Sequence, residues 1–490
     1  MDLTQLAPEY IRSIAPYQPG KPTSELAREM GLAESSIVKL ASNENPLGLS
    51  PKAKAAMAAA MDELARYPDG NGFELKAKVA SKHQVEMNQI VLGNGSNDVL
   101  ELVARTFLAP GDSAVYSQYS FAVYQLAVQA VGAIGVETPA VEYGHDLDAM
   151  LAAIRPDTKI VFIANPNNPT GTLIPAEQVE RFMQSCPANV LVVLDEAYTE
   201  YLPAELQLDS VALTRRFPNL IVSRTLSKAY GLAGLRVGFA ITSAPVADLM
   251  NRVRQPFNVN SLAQAAAVAA LDDAEFLAET VKINTAGMQQ IIAAFDRLGV
   301  SYIPSFGNFI AFHCQDAAGM NRFMLEKGVI VRPLAGYKMP NTLRVSIGLP
   351  QENARFIEVL EQARSGVAGS GAPPGFSLDP SLAEERDDYG PANAVVRRFQ
   401  ERWATVVLER ALKRVRQRAE GTPLGSRIET LIPFLATEVP DWRQTDIAEA
   451  VDVSEVSNLR DDFRREVRRI VGETVTTPVV LESEMLALFS

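Results

Sequence analysis

Cysteine is nearly absent: the 490 residues contain two, Cys186 and Cys314. With no CxxC pair and no regular set of spacings, a disulfide scaffold is excluded and a reducing, cytoplasmic setting is expected. Histidine is equally scarce, and His83, His145 and His313 show no metal-ligand spacing, so no metal site is expected. No run of about 20 predominantly apolar residues offers a membrane span. The start, Met1-Asp2-Leu3-Thr4, lacks the basic and apolar regions of a secretory leader. Positive charge is also short. Against 58 Asp and Glu stand 46 Lys and Arg, and the net charge of −12 disfavours indiscriminate binding to nucleic acid.

The length is enough for two or three domains with large cores. Short apolar runs recur through the first half: Ile90-Val91-Leu92, Ala114-Val115-Tyr116, Lys159 to Ile163, Val190 to Leu194, and Leu220-Ile221-Val222. Each reads as a strand followed by a helical stretch, which predicts an α/β domain with a mostly parallel sheet. Ligands in such sheets sit beyond the carboxyl ends of the strands. The segments placed there are the informative ones. Gly93-Asn94-Gly95-Ser96-Asn97-Asp98 opens a helix whose free amides suit an anion. Tyr119 in Ser117-Gln118-Tyr119-Ser120-Phe121 suits stacking on a flat ring, although strand-end tyrosines are usually core rim. Asn165-Pro166-Asn167-Asn168-Pro169-Thr170-Gly171 is a rigid turn carrying amides. Asp195-Glu196-Ala197-Tyr198 ends an apolar strand, where an aspartate more often caps a helix.

The last segment, Ser223 to Gly238, brackets Lys228 with Thr225 and Ser227 and places Arg236 eight residues on. Hydroxyls and one fixed positive charge suit a phosphate dianion. A lysine in covalent chemistry must shed its proton in a small polar pocket. Alone, a Ser-Lys pair is an ordinary solvated loop. Together, N-P-N-N-P-T-G, D-E-A-Y, S-R-T-L-S-K and G-L-R-V-G resemble the motifs of fold-type I pyridoxal-phosphate aminotransferases, and more closely those of histidinol-phosphate aminotransferases. The resemblance covers residues 1–364. It implies a homodimer with an arm (1–45), a large cofactor domain (46–285) and a small α/β domain (286–364). It makes Lys228 the Schiff-base lysine of pyridoxal 5'-phosphate and Asp195 the partner of the ring nitrogen. Asn168 and Tyr198 then face the ring hydroxyl, while Ser96, Asn97, Thr225, Ser227 and Arg236 hold the phosphate. Tyr67, which could simply cap a helix end, would reach the phosphate of the neighbouring subunit. Tyr17 and Asn43 would stand at the substrate entrance, with Arg332 near the substrate phosphate, unless it is a surface salt bridge. Arg344 lies in an alternating strand, where a carboxylate partner would satisfy it.

After Arg364 the small-residue and proline run Ser365 to Gly375 reads as part of a flexible linker, 365–378. Residues 379–490 read as all-helical, with an amphipathic helix from Ala392 to about Ala419 and a helix-turn-helix rhythm over Thr445 to Asn458. Phe399, Trp403, Leu431, Pro433-Phe434-Leu435, Ile447-Ala448 and Ser454-Glu455 resemble the promoter-reading region of extracytoplasmic-function sigma factors, which implies DNA as a partner. Asp452 stands where that family has its turn glycine, and Asp461 and Asp462 fall in the reading helix. The segment holds 21 acidic and 16 basic residues. A helical accessory or dimerisation domain is the alternative.

Two functions of different classes follow. The first is transamination, in which histidinol phosphate and 2-oxoglutarate give imidazole acetol phosphate and glutamate; neighbouring activities are aminotransfer from other (aromatic) amino acids and phosphothreonine decarboxylation. The second is a transcription regulator with an aminotransferase-like sensor. The set Lys228, Asp195, Tyr198, Arg236 and Arg344 favours turnover.

Overall fold

The computed structural model describes residues 3–17 and 20–365. The expectations for the helical, sigma-like segment 379–490, and for the linker beyond Ser365, lie outside the described residues. Ser365 itself ends the helix Pro350–Ser365.

The arm contains two short helices, Glu9–Arg12 and Thr23–Met30, and ends in strand β1 (Val38–Lys39). The large domain follows with β2 (Ile90–Gly93), β3 (Ser113–Ser117), β4 (Ile134–Thr138), the hairpin β5 (Ala140–Val141) and β6 (Gly144–His145), then β7 (Thr158–Ala164), β8 (Leu191–Asp195), β9 (Leu220–Thr225) and β10 (Gly238–Ile241). Seven of these form one sheet in the order β2-β10-β9-β8-β7-β3-β4. β10 runs antiparallel to both neighbours, and the other pairings are parallel.

The continuous apolar runs are explained by helices on both faces, which leave no wet side to the sheet. Alternate residues serve opposite faces. Ile160, Phe162, Val193 and Ile221 pack with Val99, Val103 and Tyr124, whereas Val161, Ile163, Val192 and Val222 pack with Val179, Phe182 and Leu213. A third cluster, including Ala53, Leu75, Leu92, Leu232 and Ala263, covers the β2–β10 edge.

The small domain holds β11 (Tyr302–Ile303), β12 (Phe309–His313), β13 (Val329–Ile330), β14 (Arg332–Pro333) and β15 (Thr342–Ser346). Its antiparallel sheet runs β11-β12-β15-β14, while β13 takes β1 of the arm as a parallel partner. The arm therefore extends the small domain: Leu40 donates to the Ile330 carbonyl at 2.8 Å and Ser346 donates to Leu40 at 2.8 Å. The boundary expected at residues 285/286 falls inside one 25-residue helix, Ala274–Leu298, capped by Gly299 in the left-handed region.

The lysine segment and the loop that follows the arm meet backbone to backbone. Gly231 has φ +71°, and a Cβ there would sit 2.1 Å from the Gly48 carbonyl oxygen. Neither atom belongs to a side chain that can swing away. Gly231→Ala is expected to lower stability by about 2 kcal/mol or more. Scanning calorimetry of the variant should show a lower melting temperature; an unchanged one would mean that the two loops separate at no cost.

Candidate active site

Strands β7, β8 and β9 are neighbours, so their carboxyl ends deliver Asn165 to Gly171, Asp195 to Tyr198 and Thr225 to Lys228 to one place. A cavity of about 190 Å³ lies there. Ser96, Asn97, Asn168, Asp195, Tyr198, Thr225, Ser227, Lys228 and Arg236 line it from the large domain. Tyr17, Asn43, Arg332 and Arg344 line it from the arm and the small domain.

One end is built for an anion. The helix Ser96–Phe107 starts here with no side chain capping its amides, and such a terminus attracts negative charge. Gly95 (φ +85°) precedes it, and a Cβ at that position would lie 2.5 Å from Arg236 Nη2. Arg236 is itself left-handed, with φ +55°. The Ser227 amide is turned towards the Thr225 hydroxyl, to which it donates at 3.1 Å. Backbone, hydroxyls and guanidinium converge here, and the nearby Asp98 carboxylate is taken up by the Asn94 amide at 2.8 Å and by Asn258 Nδ2 at 2.8 Å.

Lys228 Nζ donates to the Ser42 carbonyl at 3.0 Å. Burial pulls its amine down to about 8; Arg344 and Arg236 pull the same way, and Glu44 opposes them. Across the cavity Asp195 is buried. Its Oδ2 accepts from the Tyr124 hydroxyl at 2.9 Å, while Oδ1 is buried with no partner. Burial pushes this carboxyl up to about 6; Glu196 adds to the rise and Tyr124 opposes it. A protonated ring nitrogen is the partner that Oδ1 lacks. The open Oδ1, the uncapped helix start and the buried lysine with its lowered pKa together fit pyridoxal 5'-phosphate, the cofactor that the motif resemblance implies.

The three asparagines of the 165–171 turn divide their work. Asn165 exchanges hydrogen bonds with the backbone of Ile174, and Asn167 donates to the Tyr119 carbonyl and the Thr170 hydroxyl. Only Asn168 faces the cavity, where its Oδ1 accepts from Arg344 Nη1. Arg344 Nη2 donates to the Ala41 carbonyl at 3.0 Å, and its Nε is buried without a partner. It pairs with no carboxylate among the described residues, so a carboxylate ligand would answer the cost of burying it. Arg332 donates to the Tyr17 hydroxyl at 3.2 Å and lies over that ring. Tyr198 accepts from Asn43 Nδ2 at 2.9 Å; burial first, then Asp195 and Tyr337, push its phenol up to about 12.

Two expected residues stand elsewhere. Tyr119 does not line the cavity. Its backbone is left-handed (φ +56°) and tied by Asn167, which sends the ring against Tyr143 and the Ile303–Leu334 cluster. Phe121, two residues on, lines the cavity instead. Tyr67 is 83% exposed and stacks on Phe257, outside the cavity of its own chain. Sequence reasoning missed Tyr124 and Tyr337 as well. The signal for Tyr124 was its hydroxyl: a tyrosine on the buried face of a helix needs a partner.

Comparison with known proteins agrees with this geometry. The profile of the aminotransferase class I and II family matches residues 35–360. A histidinol-phosphate aminotransferase of Methylobacillus flagellatus is 62% identical over 360 residues, which are 74% of this chain and 98% of that protein. One from Pseudomonas aeruginosa is 59% identical over 360 residues, covering 73% of this chain and 98% of its own. Among solved structures, the histidinol-phosphate aminotransferase of Sinorhizobium meliloti in complex with pyridoxal-5'-phosphate aligns with a TM-score of 0.66 and 29% identity, over 72% of this chain and 97% of that one.

The lowered Lys228 pKa has a consequence for the cofactor-free protein. Below about 8 the folded state holds a charged, desolvated amine. Between that pH and the ordinary value of 10.5 the unfolded state binds more protons, so stability rises with pH. Lys228→Met should therefore raise the melting temperature at pH 7, and the gain should fade as pH rises from 8 to 10.5. An equal gain at both ends of that range would contradict a buried, perturbed lysine.

Proposed function

We propose that this chain, which belongs to the aminotransferase class I and II family, is a pyridoxal-phosphate-dependent transaminase that takes the amino group of histidinol phosphate and gives it to 2-oxoglutarate. The products are imidazole acetol phosphate and glutamate. The observation that carries the reading is that Lys228 and Asp195, with its unpartnered Oδ1, line one cavity, in a chain about 60% identical to histidinol-phosphate aminotransferases.

Lys228 is the group that attaches to the cofactor; near pH 8 a large share of it is the free amine this requires. Asp195 holds the proton on the ring nitrogen. When bound, the cofactor supplies the electron sink that acidifies the carbon bearing the amino group. Asn168 and Tyr198 orient the ring through its hydroxyl, and Phe121 covers a face. Ser96, Asn97, Thr225, Ser227, Arg236 and the helix start hold the phosphate. With the cofactor bound, Lys228 would serve as the base that takes and returns the proton at the substrate's Cα. Arg332 and Tyr17 receive the substrate phosphate. Arg344 exchanges Asn168 for the carboxylate of the glutamate or 2-oxoglutarate partner, bound two-pronged.

The protein works as a cytoplasmic homodimer in this reading. Tyr67, exposed on its own chain, serves the phosphate site of the partner subunit. Both cysteines are free and buried, and no helix among the described residues is long and apolar enough to cross a membrane. The family match ends at residue 360, so it does not reach the 379–490 segment for which DNA was considered.

A coupled assay with histidinol phosphate and 2-oxoglutarate tests the reaction. Turnover should exceed that with phenylalanine or O-phosphothreonine, and borohydride should fix a pyridoxyl group on Lys228. Labelling elsewhere, a Lys228→Ala protein that still turns over, or faster turnover of either competitor would overturn the reading.

Removing the last quarter of the chain is a separate test. The matched relatives are covered over nearly their full length by about three quarters of this chain. Truncation after Arg364 should leave kcat and the dimer unchanged in assay and sedimentation. Loss of either would make residues 365–490 part of the catalytic body.

A further inference from the structure

Asp195 carries the proton chemistry of the proposed site, yet a single side chain fixes it. Oδ2 accepts from the Tyr124 hydroxyl at 2.9 Å, and no second side-chain donor reaches Asp195 among the described residues. Two other polar groups nearby make their bonds elsewhere and none to Asp195. Tyr198 accepts from Asn43 at 2.9 Å. Glu196 turns away to Arg224 at 2.6 Å and to the Ser210 hydroxyl at 2.7 Å.

Tyr124 is well placed to hold its neighbour still. It lies in the helix Ala122–Ala130 and is fully buried. Its ring stacks on Phe162 of β7 with centroids 4.9 Å apart and planes 9° apart, and Phe121 meets it edge-on at 5.9 Å. Phe162 pairs with Val193 of β8, two residues before Asp195. The phenol is thus braced on the strand next to the one that carries the carboxylate. Burial and the adjacent Asp195 hold it in the protonated form, so in this contact the hydroxyl donates.

A carboxylate with one oxygen engaged presents the other in a fixed direction. A donor on Oδ2 also favours the ionised form, against the burial that disfavours it. We propose that Tyr124 is a positioning residue: by donating to Oδ2 it keeps Asp195 ionised and turned so that Oδ1 meets the ring nitrogen of the bound cofactor. The inference rests on the proposed function. Without the hydroxyl, Asp195 becomes more basic and competes with the ring nitrogen for their shared proton.

The test uses the dimeric holoenzyme loaded with pyridoxal phosphate labelled with nitrogen-15 in the ring. In the unaltered protein the nitrogen signal should lie at the pyridinium position. In Tyr124→Phe, which keeps the stacked ring, the signal should move towards the neutral position. The kcat should fall about ten- to a hundredfold, with KM little changed. The same substitution in an Asp195→Asn background should cost almost nothing further, because Tyr124 acts through that carboxylate. A fluorinated tyrosine at 124, a stronger donor of nearly the same shape, should move the nitrogen signal the opposite way from Tyr124→Phe, further to the pyridinium side. An unmoved signal in Tyr124→Phe, equal losses in both backgrounds, or no response to the fluorinated residue would overturn the inference. If the unaltered protein binds no cofactor, the proposed function fails, and this inference fails with it; if it binds and turns over, the inference stands or falls alone.

Discussion

Desolvation at the ends of β8 and β9 governs the site. The same low-polarity surroundings act in opposite senses on two groups of opposite charge: Asp195 rises to about 6 and Lys228 falls to about 8. Each shift brings a group whose ordinary value is far from neutrality to within reach of it. That is the condition for moving protons at working pH. The surrounding fold sustains it by closing both faces of the sheet with helices, so that the strand ends are dry although the cavity they border is polar.

Burying charge so close together needs a frame, and the arm supplies much of it. Ser42 gives its carbonyl to Lys228, Ala41 gives its carbonyl to Arg344, and Asn43 reaches Tyr198. Asn43 is in turn gripped by Ser346 and Asn308 of the small domain. Asn45 continues to the Ala229 carbonyl and the Thr280 hydroxyl. Four of the five positions from 41 to 45 thereby touch both domains and the long helix between them. Asn43 holds a left-handed φ of +55° to do so, a conformation that asparagine tolerates better than most residues.

The parallel sheet was legible in the sequence because strands buried on both faces are apolar throughout, as in Ile160 to Ile163 and Val190 to Leu194. Asp195, Asn168, Lys228 and Arg236 were legible because chemistry at strand ends needs particular residue types in short runs. Their convergence on one cavity follows from the order β9-β8-β7. Tyr119 and Phe121 were harder to read. Both are aromatic, two residues apart, and the choice between them depends on a left-handed turn that an asparagine 48 positions away helps to hold. Tyr124 was hidden for a different reason: on a helix its ring looks like core, and only the tertiary structure shows where its hydroxyl points. The arm's threading along β13 was equally invisible, because a two-residue strand leaves almost no periodicity.

The helix Ala274–Leu298 has a mechanical side. Twenty-five residues make a rod about 37 Å long. Its foot is tied to the large domain by Lys52 bonded to Asp273 and to the arm by Asn45 bonded to Thr280. Farther along, Gly287 lies against Ile347 and Asn353, and Phe295 packs with Phe312 and Phe356 of the small domain. Such a rod is a lever: a tilt of about 5° at the foot carries its far end through roughly 3 Å at this length. A displacement of that size is comparable to a hydrogen-bond length. Arg332 and Arg344 ride on the small domain beyond this rod, so the angle at its foot bears on where the two guanidiniums stand.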